Sequence, residues 1–433
     1  MIDMTETMET TMRSPLQAAT FHAATRRELL LGSGVLFAWA FVPRLARAEG
    51  RDPRFLTIVL RGGLDGLAAV APVGDPDWVK LRDKNALTLE GQKPGLPLDG
   101  FFALNPAMPN VHRLYQEGHA TIVHAAATSY RERSHFDGQD ILESGLPKPG
   151  AVDSGWLNRA LAGLEPSPDA VARGRKAFAV GPITPLVVRG AAPILSWTPP
   201  RLQPVSDETT LRLLDLYRHT DPAFAQGLEE GLGLASMGKA GGVAENNPNA
   251  PGIQQGGGIE QVRSYFAEAA GAAAKFLAVP EGPRVGALAF DGWDTHVNEG
   301  AVIGRLADLL GALDGAIGAI KTNMGEAWNE TVVTLVTEFG RTARINGNAG
   351  TDHGTATVVL LAGGALKGGR VIADWPGVKE TDLYEKRDLK ATTDLRAVLK
   401  GLLRDHLRVD ERALAADVFP GSDAVAPMAG LLA

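Results

Sequence analysis

Segments of apolar residues alternate with helical patterns along most of this 433-residue chain, and this alternation constrains the fold most. The first apolar segment, residues 55–60, is interrupted only by Thr57, as in a strand buried on both faces of a parallel sheet. Strands that alternate with helices predict an α/β fold with a mostly parallel sheet flanked by helices. Further strands are predicted at residues 120–125, 177–180, 284–290, 331–338 and 355–362, and helices at 158–164, 207–217, 259–277, 301–320 and 388–406.

Composition excludes several classes of function. The 43 basic and 50 acidic residues leave a net charge of -7, so no overall positive field attracts a nucleic-acid backbone, and no nucleic-acid partner is expected. The chain has no cysteine, which removes disulfides, thiolate nucleophiles and cysteine-bound metal centres. Any metal must therefore be held by histidine, aspartate, glutamate or backbone oxygen.

The N-terminal segment has the pattern of an export signal. Arg26 and Arg27 precede a mostly apolar run at 31–42 and the small-residue step Ala46-Arg47-Ala48. Paired arginines are typical of a twin-arginine leader, which predicts a leader at 1–48, a domain at 49–433 and a periplasmic or secreted location. The alternative is a membrane anchor, but the run is shorter than the ~20 residues that span a bilayer. No stable span is expected in the mature protein, and its first partner would be the twin-arginine export machinery.

Two other segments leave alternatives open. Acidic residues precede Met12, where an export signal favours basic ones, so translation could begin at Met1 or at Met12. Residues 237–258 are rich in glycine and asparagine and contain almost no large apolar residues, so they cannot pack a core. This segment is interpreted as a flexible insertion, either a lid over the sheet or a plain connector.

Polar residues collect just beyond the predicted strands. Ligands of open α/β sheets bind outside the carboxyl ends of the strands, so these side chains are expected to converge on one edge. The candidate metal ligands are Asp65, Asp294, His296, Glu338, Asp352 and His353, and the candidate catalytic residues are Ser134, His135 and Arg341.

The Asp294-Thr295-His296 triplet can form a metal half-site, although taken alone it is more typical of a surface pair without a metal. In extended backbone, residues i and i+2 point to the same face and can hold one ion together. Histidine with carboxylate suits Zn²⁺, Mn²⁺ or Fe, and carboxylate-rich sets also suit Ca²⁺ or Mg²⁺. A surface pair without a metal is the alternative. Asp352 and His353 could turn to one metal in a loop, because Gly354 relaxes the backbone there.

Ser134 and His135 open a predicted helix at 136–143. Ser134 with Asp137 three residues later matches a capping-box-like pattern, which favours a helix cap. A hydroxyl at a helix N-terminus could instead serve as an activated nucleophile or bind an anion. Arg131, Arg133 and Arg341 could clamp phosphate or sulfate, or could be counterions of the carboxylates.

Five short motifs in a fixed order resemble a known family. The chain is similar to the exported bacterial family called domain of unknown function 1501, which is distantly related to the alkaline phosphatase and sulfatase superfamily. The resemblance covers residues from about 55 to near the C-terminus. The motifs are Arg61-Gly62-Gly63-Leu64-Asp65-Gly66, Tyr130-Arg131-Glu132-Arg133-Ser134-His135-Phe136-Asp137, Trp293-Asp294-Thr295-His296, Thr337-Glu338-Phe339-Gly340-Arg341-Thr342 and Thr351-Asp352-His353-Gly354.

The resemblance implies an alkaline phosphatase-like domain with one or two metals. By the superfamily's order of ligands, Asp65 would bind a metal and Ser134 would occupy the nucleophile region. Asp294 with His296 would form one half-site, and Asp352 with His353 the other. The family usually has a second histidine where this chain has Thr355, and the Asp-x-His spacing is shorter than the superfamily's usual Asp-x-x-x-His.

The expected function is an exported, metal-dependent hydrolase of phosphate or sulfate esters. Its substrate would be a small-molecule or polymer ester, and its cofactor a divalent metal such as Zn²⁺, Mn²⁺, Ca²⁺ or Mg²⁺. The alternative is a non-catalytic exported binding or structural protein that keeps the fold and a metal. Thr355 favours this alternative, whereas the Asp and His pairs favour the enzyme.

Overall fold

The computed structural model describes the chain in several ranges. They are residues 37–40, 51–150, 152–164, 184–192, 194–197, 258–279 and 282–433, with six positions between 214 and 229. Apart from isolated positions, the predicted strand at 177–180, the predicted helix at 207–217 and the segment 237–258 lie outside these ranges. The predicted leader lies outside them as well, except for residues 37–40.

The described strands form one large sheet and one small sheet. In chain order they are β1 (Phe37–Ala40), β2 (Arg54–Arg61), β3 (Val70–Ala71), β4 (Leu96–Pro97), β5 (Ala103–Leu104), β6 (Ala120–Ala127), β7 (Leu195–Trp197), β8 (Val285–Asp291), β9 (Thr331–Val336), β10 (Thr357–Ala362), β11 (Arg370–Ile372) and β12 (Thr393–Asp394). The large sheet has the order β11-β6-β10-β9-β2-β8-β1-β7, with β12 also paired to β6, and the small sheet has the order β3-β5-β4.

The large sheet is mixed but mostly parallel. β2 pairs in parallel with β8 and β9, and β6 pairs in parallel with β11 and β12. Within the described ranges, only β1 and β10 run against the other strands of this sheet. The α/β class and the mostly parallel sheet predicted from the sequence are therefore confirmed.

Helices cover both faces of the large sheet. They are α1 (Gly66–Ala69), α2 (Trp78–Arg82), α3 (Pro109–Gln116), α4 (His135–Ser144), α5 (Trp156–Ala162), α6 (Ile259–Ala278), α7 (Arg305–Met324), α8 (Leu395–Leu407) and α9 (Glu411–Ala413). Short 3₁₀ segments lie at Asp83–Asn85, Leu186–Val188 and Gly325–Glu330, and a π turn lies at Leu414–Val418. None of the helices in the described ranges has both the length and the apolar character needed to cross a membrane.

Alternate residues of β2 pack into two separate cores. Leu56, Ile58 and Leu60 pack into the core that contains α3, α6 and α7, whereas Phe55 and Val59 pack into the core that contains α5 and α8. Successive side chains of a strand point to opposite faces, so this apolar run is buried from both sides. The result is a sheet between two helical layers.

Several predicted helix boundaries differ from the structure, and two helices begin clearly later than predicted. The helix predicted at 388–406 begins only at Leu395, because the Asp394 carboxylate caps it by accepting from the Arg396 N–H. The helix predicted at 301–320 begins at Arg305, directly after Gly304, whose φ of 122° is not helical. Both errors place loop residues in helices, and both loops border the candidate site.

Candidate metal centre

Three histidines and one aspartate converge beyond the carboxyl ends of β6, β8 and β9. His135 Nε2 lies 3.4 Å from Asp294 Oδ2, while His296 Nε2 and His353 Nε2 lie 3.0 and 3.2 Å from Asp294 Oδ1. Ligand atoms of His135, Asp294 and His353 all lie within 4.8 Å of one another, a spacing that fits one metal ion. Asp294 and His296 of one predicted half-site and His353 of the other are therefore brought together, and His135, predicted as a catalytic residue, joins them.

The second ring nitrogen of each histidine lies near a protein oxygen. This arrangement fixes the ring and directs Nε2 toward the centre, as the outer partners of metal-binding histidines do. His135 Nδ1 lies 2.9 Å from Glu338 Oε1, His296 Nδ1 lies 3.2 Å from Asp352 Oδ1, and His353 Nδ1 lies 2.8 Å from the Arg133 carbonyl oxygen.

The contact between His296 and His353 favours a cation between their rings. A carbonyl oxygen only accepts, so His353 Nδ1 carries the hydrogen and its Nε2 has a lone pair when the ring is neutral. His296, with Nδ1 next to a carboxylate, has the same preference. The two Nε2 atoms are 3.0 Å apart, and two lone pairs at this distance repel unless a cation or a proton lies between them.

His135 provides a second indication that the site suits a metal. Its Nε2 is buried and has no hydrogen-bond partner within the described part of the chain. A buried ring nitrogen without a partner is costly, and a metal bound to its lone pair would remove that cost. Imidazole nitrogens with one carboxylate are a donor set suited to Zn²⁺, Mn²⁺ or Fe.

The Asp294 carboxylate is held by Arg341. Arg341 donates from one guanidinium nitrogen to Asp294 Oδ1 at 2.7 Å and is itself 1% exposed. Burial opposes the charged carboxylate, but the hydrogen bond and charge of Arg341 outweigh it, so the pKa of Asp294 is lowered. Arg341 also donates to Thr351 and to the Gly62 carbonyl, so it is a counterion of the cluster.

Glu338 lies behind His135. Its Oε1 accepts from the Gly62 N–H at 2.8 Å and from the Gln139 amide at 3.1 Å, besides facing His135 Nδ1. Burial would raise the pKa of Glu338, but these hydrogen bonds lower it, and the hydrogen bond to Glu338 raises the pKa of His135. Glu338, predicted as a metal ligand, therefore lies outside the convergence and orients a ligand.

The pKa of His353 shifts in the opposite direction to that of His135. Burial is the main reason that the pKa of His353 is lowered, and the nearby charges of His135 and Arg341 add to it. A lowered pKa keeps the imidazole neutral near pH 7, which is the form that binds metals. Its ring also packs 4.2 Å from the ring of His135 and 5.0 Å from that of Phe339, measured between centroids.

Glycines let the loops of the site pack backbone against backbone. A Cβ on Gly62, whose φ is 124°, would lie 2.5 Å from the backbone nitrogen of Asp294. A Cβ on Gly350 would lie 2.3 Å from the carbonyl carbon and oxygen of His296. Real side chains do not reach such distances, so any larger residue would push the loops that carry Asp294 and His296 out of place.

Arg133 adopts a strained backbone that positions His353. Its φ is 61°, which is uncommon for a residue other than glycine, and its carbonyl oxygen faces His353 Nδ1. The guanidinium binds the buried Asp388 at 2.9 Å and also binds Glu385. Of the two predicted roles for Arg133, anion clamp or counterion, the contacts match the counterion.

Ser134 occupies the N-cap position of α4 but does not form the cap hydrogen bond predicted from the Ser-x-x-Asp pattern. Its φ and ψ are -92° and 129°, and its side chain accepts no hydrogen bond from the helix. The capping interpretation is therefore wrong for the hydroxyl. The Tyr130 hydroxyl accepts from the Ser134 N–H at 3.2 Å and donates to Asp137 Oδ2 at 3.1 Å, so it takes the place of the Asp137 side chain in the predicted capping box.

The structure places two other predicted ligands away from the convergence. Asp65 is 1% exposed, and both of its carboxylate oxygens accept from Arg82, at 2.6 and 3.0 Å. Asp352 lies on the outer side of His296, with Oδ1 also accepting from the Asn346 amide at 3.0 Å. Both oxygens of Asp65 are therefore used by Arg82, whereas Asp352 uses Oδ1 to hold His296 and Asn346.

Several residues that shape the centre carry no signal in the sequence. The Arg133 carbonyl acts through backbone geometry, and Gln139 and Asn346 act through contacts between distant segments. Gln139 alone could have been found, because it lies four residues after His135 and therefore on the same face of α4.

The family-model comparison matches residues 126–418 to the family described as protein of unknown function, DUF1501. The chain belongs to this family. The matched range contains all four converging residues and the outer partners Arg133, Glu338 and Asp352. No curated protein and no solved structure matches the chain.

Proposed function

We propose that this chain is an exported, metal-dependent hydrolase of phosphate or sulfate esters, distantly related to alkaline phosphatases and sulfatases. The observation that carries the proposal is the convergence of three imidazole Nε2 atoms on the Asp294 carboxylate. Outer partners at each Nδ1 and the orphaned Nε2 of His135 support it. Export rests on the paired arginines at positions 26 and 27, which lie outside the described residues.

His135, His296, His353 and Asp294 would hold the ion. A divalent metal supplies Lewis acidity that polarises an ester oxygen and lowers the pKa of a hydroxyl nucleophile. Arg341 keeps Asp294 ionised and oriented, and Glu338 orients the ring of His135. The contacts of Arg341 and Glu338 would therefore hold two of the metal ligands in place during catalysis.

Ser134 is the proposed nucleophile. It precedes His135 at the N-terminus of the ten-residue helix α4, where backbone N–H groups favour an anionic group. The helix makes no use of the Ser134 hydroxyl as a cap, so that group can face a bound ester.

The family's usual second histidine is replaced by Thr355 in this chain, but this change removes none of the four proposed metal ligands. The Thr355 hydroxyl donates to the Leu389 carbonyl at 2.9 Å and is buried, so it has a structural role. His135 provides an imidazole independently of that position. Thr355 therefore weighs less in favour of a non-catalytic protein than the sequence alone indicates.

The proposal is tested with metal-loaded full-length protein and a panel of aryl phosphate and aryl sulfate esters. Ser134→Ala and Ser134→Asn should each abolish turnover while metal content and thermal stability stay near those of the wild type. Ser144→Ala, at the opposite end of α4, is the matched control and should remain active.

Two outcomes would contradict the proposal. Turnover that survives both Ser134 variants would remove the serine from the chemistry. A metal-loaded wild type that hydrolyses neither class of ester would favour the alternative, an exported binding or structural protein.

A further inference from the structure

A buried acid lies beneath the two loops that carry the converging side chains. Glu299 is 1% exposed, and its Oε1 accepts from the Thr295 hydroxyl at 3.0 Å. The Thr351 hydroxyl also interacts with this carboxyl group, while Oε2 has no completed hydrogen bond within the described ranges. A buried, incompletely satisfied carboxyl group is uncommon and requires an explanation.

Both threonines are coupled to the metal centre. Thr295 lies between Asp294 and His296 in the chain, and its carbonyl accepts from the Thr351 N–H at 3.1 Å. The Thr351 hydroxyl accepts from Arg341 Nε at 3.1 Å, and Arg341 in turn donates to Asp294. Glu299 is therefore two contacts away from the guanidinium that orients a candidate ligand.

We propose that Glu299 is a positioning residue that holds Arg341 and Asp294 in the geometry of the metal centre through Thr295 and Thr351. The inference rests on the proposed metal site and adds a residue that touches neither the metal nor a substrate. Asp65 and Arg82 are the charged groups that act on the carboxyl group. Burial, followed by the charge of Asp65, raises the pKa of Glu299 to about 8, so near pH 7 it is mainly neutral.

A neutral carboxyl group suits this position. It can accept from the two hydroxyls without adding a second negative charge that would compete with Asp294 for Arg341. Glutamine has nearly the same shape and no charge, so Glu299→Gln should preserve the arrangement. Alanine removes the acceptor and leaves both hydroxyls free to turn.

The test compares Glu299→Ala, Glu299→Gln and a control in full-length protein. The control is Asp314→Asn, because Asp314 is also a buried acid, is 3% exposed, and accepts from the Asn110 and Val111 N–H groups in a different part of the fold. The first measurement is the Zn²⁺ dissociation constant by chelator competition. Glu299→Ala should weaken Zn²⁺ binding about 10–100-fold, as loss of an outer partner does, while the other two variants should match the wild type.

The second measurement does not depend on metal. The Arg341 Nε–H exchange rate, followed by ¹⁵N NMR in the metal-free protein, should rise in Glu299→Ala and stay slow in Glu299→Gln and Asp314→Asn. A purely structural role would lower thermal stability without changing either quantity. Should Glu299→Ala fail to fold, Thr351→Val interrupts the same connection and should give the same two changes.

Glu299→Ala with wild-type Zn²⁺ affinity and slow Nε–H exchange would overturn the inference. Glu299→Gln as defective as Glu299→Ala would also overturn it. If the wild type binds none of Zn²⁺, Mn²⁺, Ca²⁺ and Mg²⁺, the proposed function fails, while the Nε–H exchange rates still decide whether Glu299 positions Arg341.

Discussion

Asp65 and Asp294 both follow parallel strands of the large sheet, yet their surroundings differ. Asp65 lies beyond β2, is 1% exposed, binds Arg82 in a bidentate pair, and accepts the Leu67 and Ala68 N–H groups at 3.0 and 3.2 Å. Asp294 lies beyond β8 with a side chain that is 41% exposed, has one arginine partner, and faces three imidazole nitrogens.

This comparison separates position from function. Asp65 has hydrogen bonds to the protein at both oxygens and is closed off from solvent, so it stabilises the fold. The oxygens of Asp294 face three imidazole nitrogens in a partly open site. A carboxylate at a strand end can therefore bind a metal only when the protein leaves some of its lone pairs free, as for Asp294 and unlike Asp65.

Asp65→Ala should give the largest effect on stability. It leaves Arg82, which is 2% exposed, without its partner charge, so the free energy of unfolding should fall by about 3–5 kcal/mol. Urea unfolding of the metal-free protein measures this loss. The folded variant should bind metal as the wild type does, and loss of metal without loss of stability would place Asp65 in the metal site instead.

His353→Ala should have its main effect on metal binding rather than on stability. It removes a ring whose Nε2 lies near both Asp294 and His296, so metal affinity should fall by more than the 10–100-fold typical of an outer partner. Chelator competition measures the change. The control is His119→Ala, whose side chain is 31% exposed and lies outside the cluster. Equal metal affinity in the two variants would contradict the proposal that His353 binds the metal.

Glu338→Gln should have an intermediate effect. It keeps an oxygen near His135 Nδ1 but removes the negative charge, so metal affinity should fall about 10–100-fold. Glu143→Gln is the matched control, because Glu143 is also buried but is paired with Arg61 rather than with a histidine. A loss as large as in His353→Ala would indicate that Glu338 binds the ion directly.

The pH dependence of stability tests whether the Glu299 carboxyl group is neutral in the folded protein. The pKa of Glu299 is raised to about 8 by burial and by Asp65, so the folded protein holds a proton that the unfolded chain loses at lower pH. This contribution to stability is present at acidic pH and decreases as pH rises toward 8. In metal-free protein, the free energy of unfolding measured with denaturant should fall less between acidic pH and pH 8 in Glu299→Gln than in the wild type. Identical pH profiles would contradict the raised pKa of Glu299.

The local patterns of the sequence predict the framework well. The apolar run at 55–60 and the strand bounds near 120 and 331 follow from burial on both faces of the sheet. The Asp294-Thr295-His296 triplet correctly indicated two side chains that share one centre.

The details of the centre depend on contacts between distant segments. No local pattern reveals that Arg82 satisfies Asp65, that the Arg133 carbonyl orients His353, or that Asp352 lies behind His296. The predicted Ser134–Asp137 capping box does not form: the Ser134 hydroxyl accepts no helix N–H, and Tyr130, four residues earlier, accepts from the Ser134 N–H in place of Asp137. Short-range spacing in the sequence identifies residues that could bind a metal. It does not show which of their lone pairs remain free of hydrogen bonds to the protein.

Anomalous X-ray diffraction from crystals of metal-loaded full-length protein tests the central claim most directly. The account predicts one strong peak about 2.0–2.2 Å from Nε2 of His135, His296 and His353 and from a carboxylate oxygen of Asp294. Glu338 and Asp65 should lie outside the coordination sphere. A peak next to Asp65, coordination through an Nδ1 atom, or no peak at the three Nε2 atoms would contradict it.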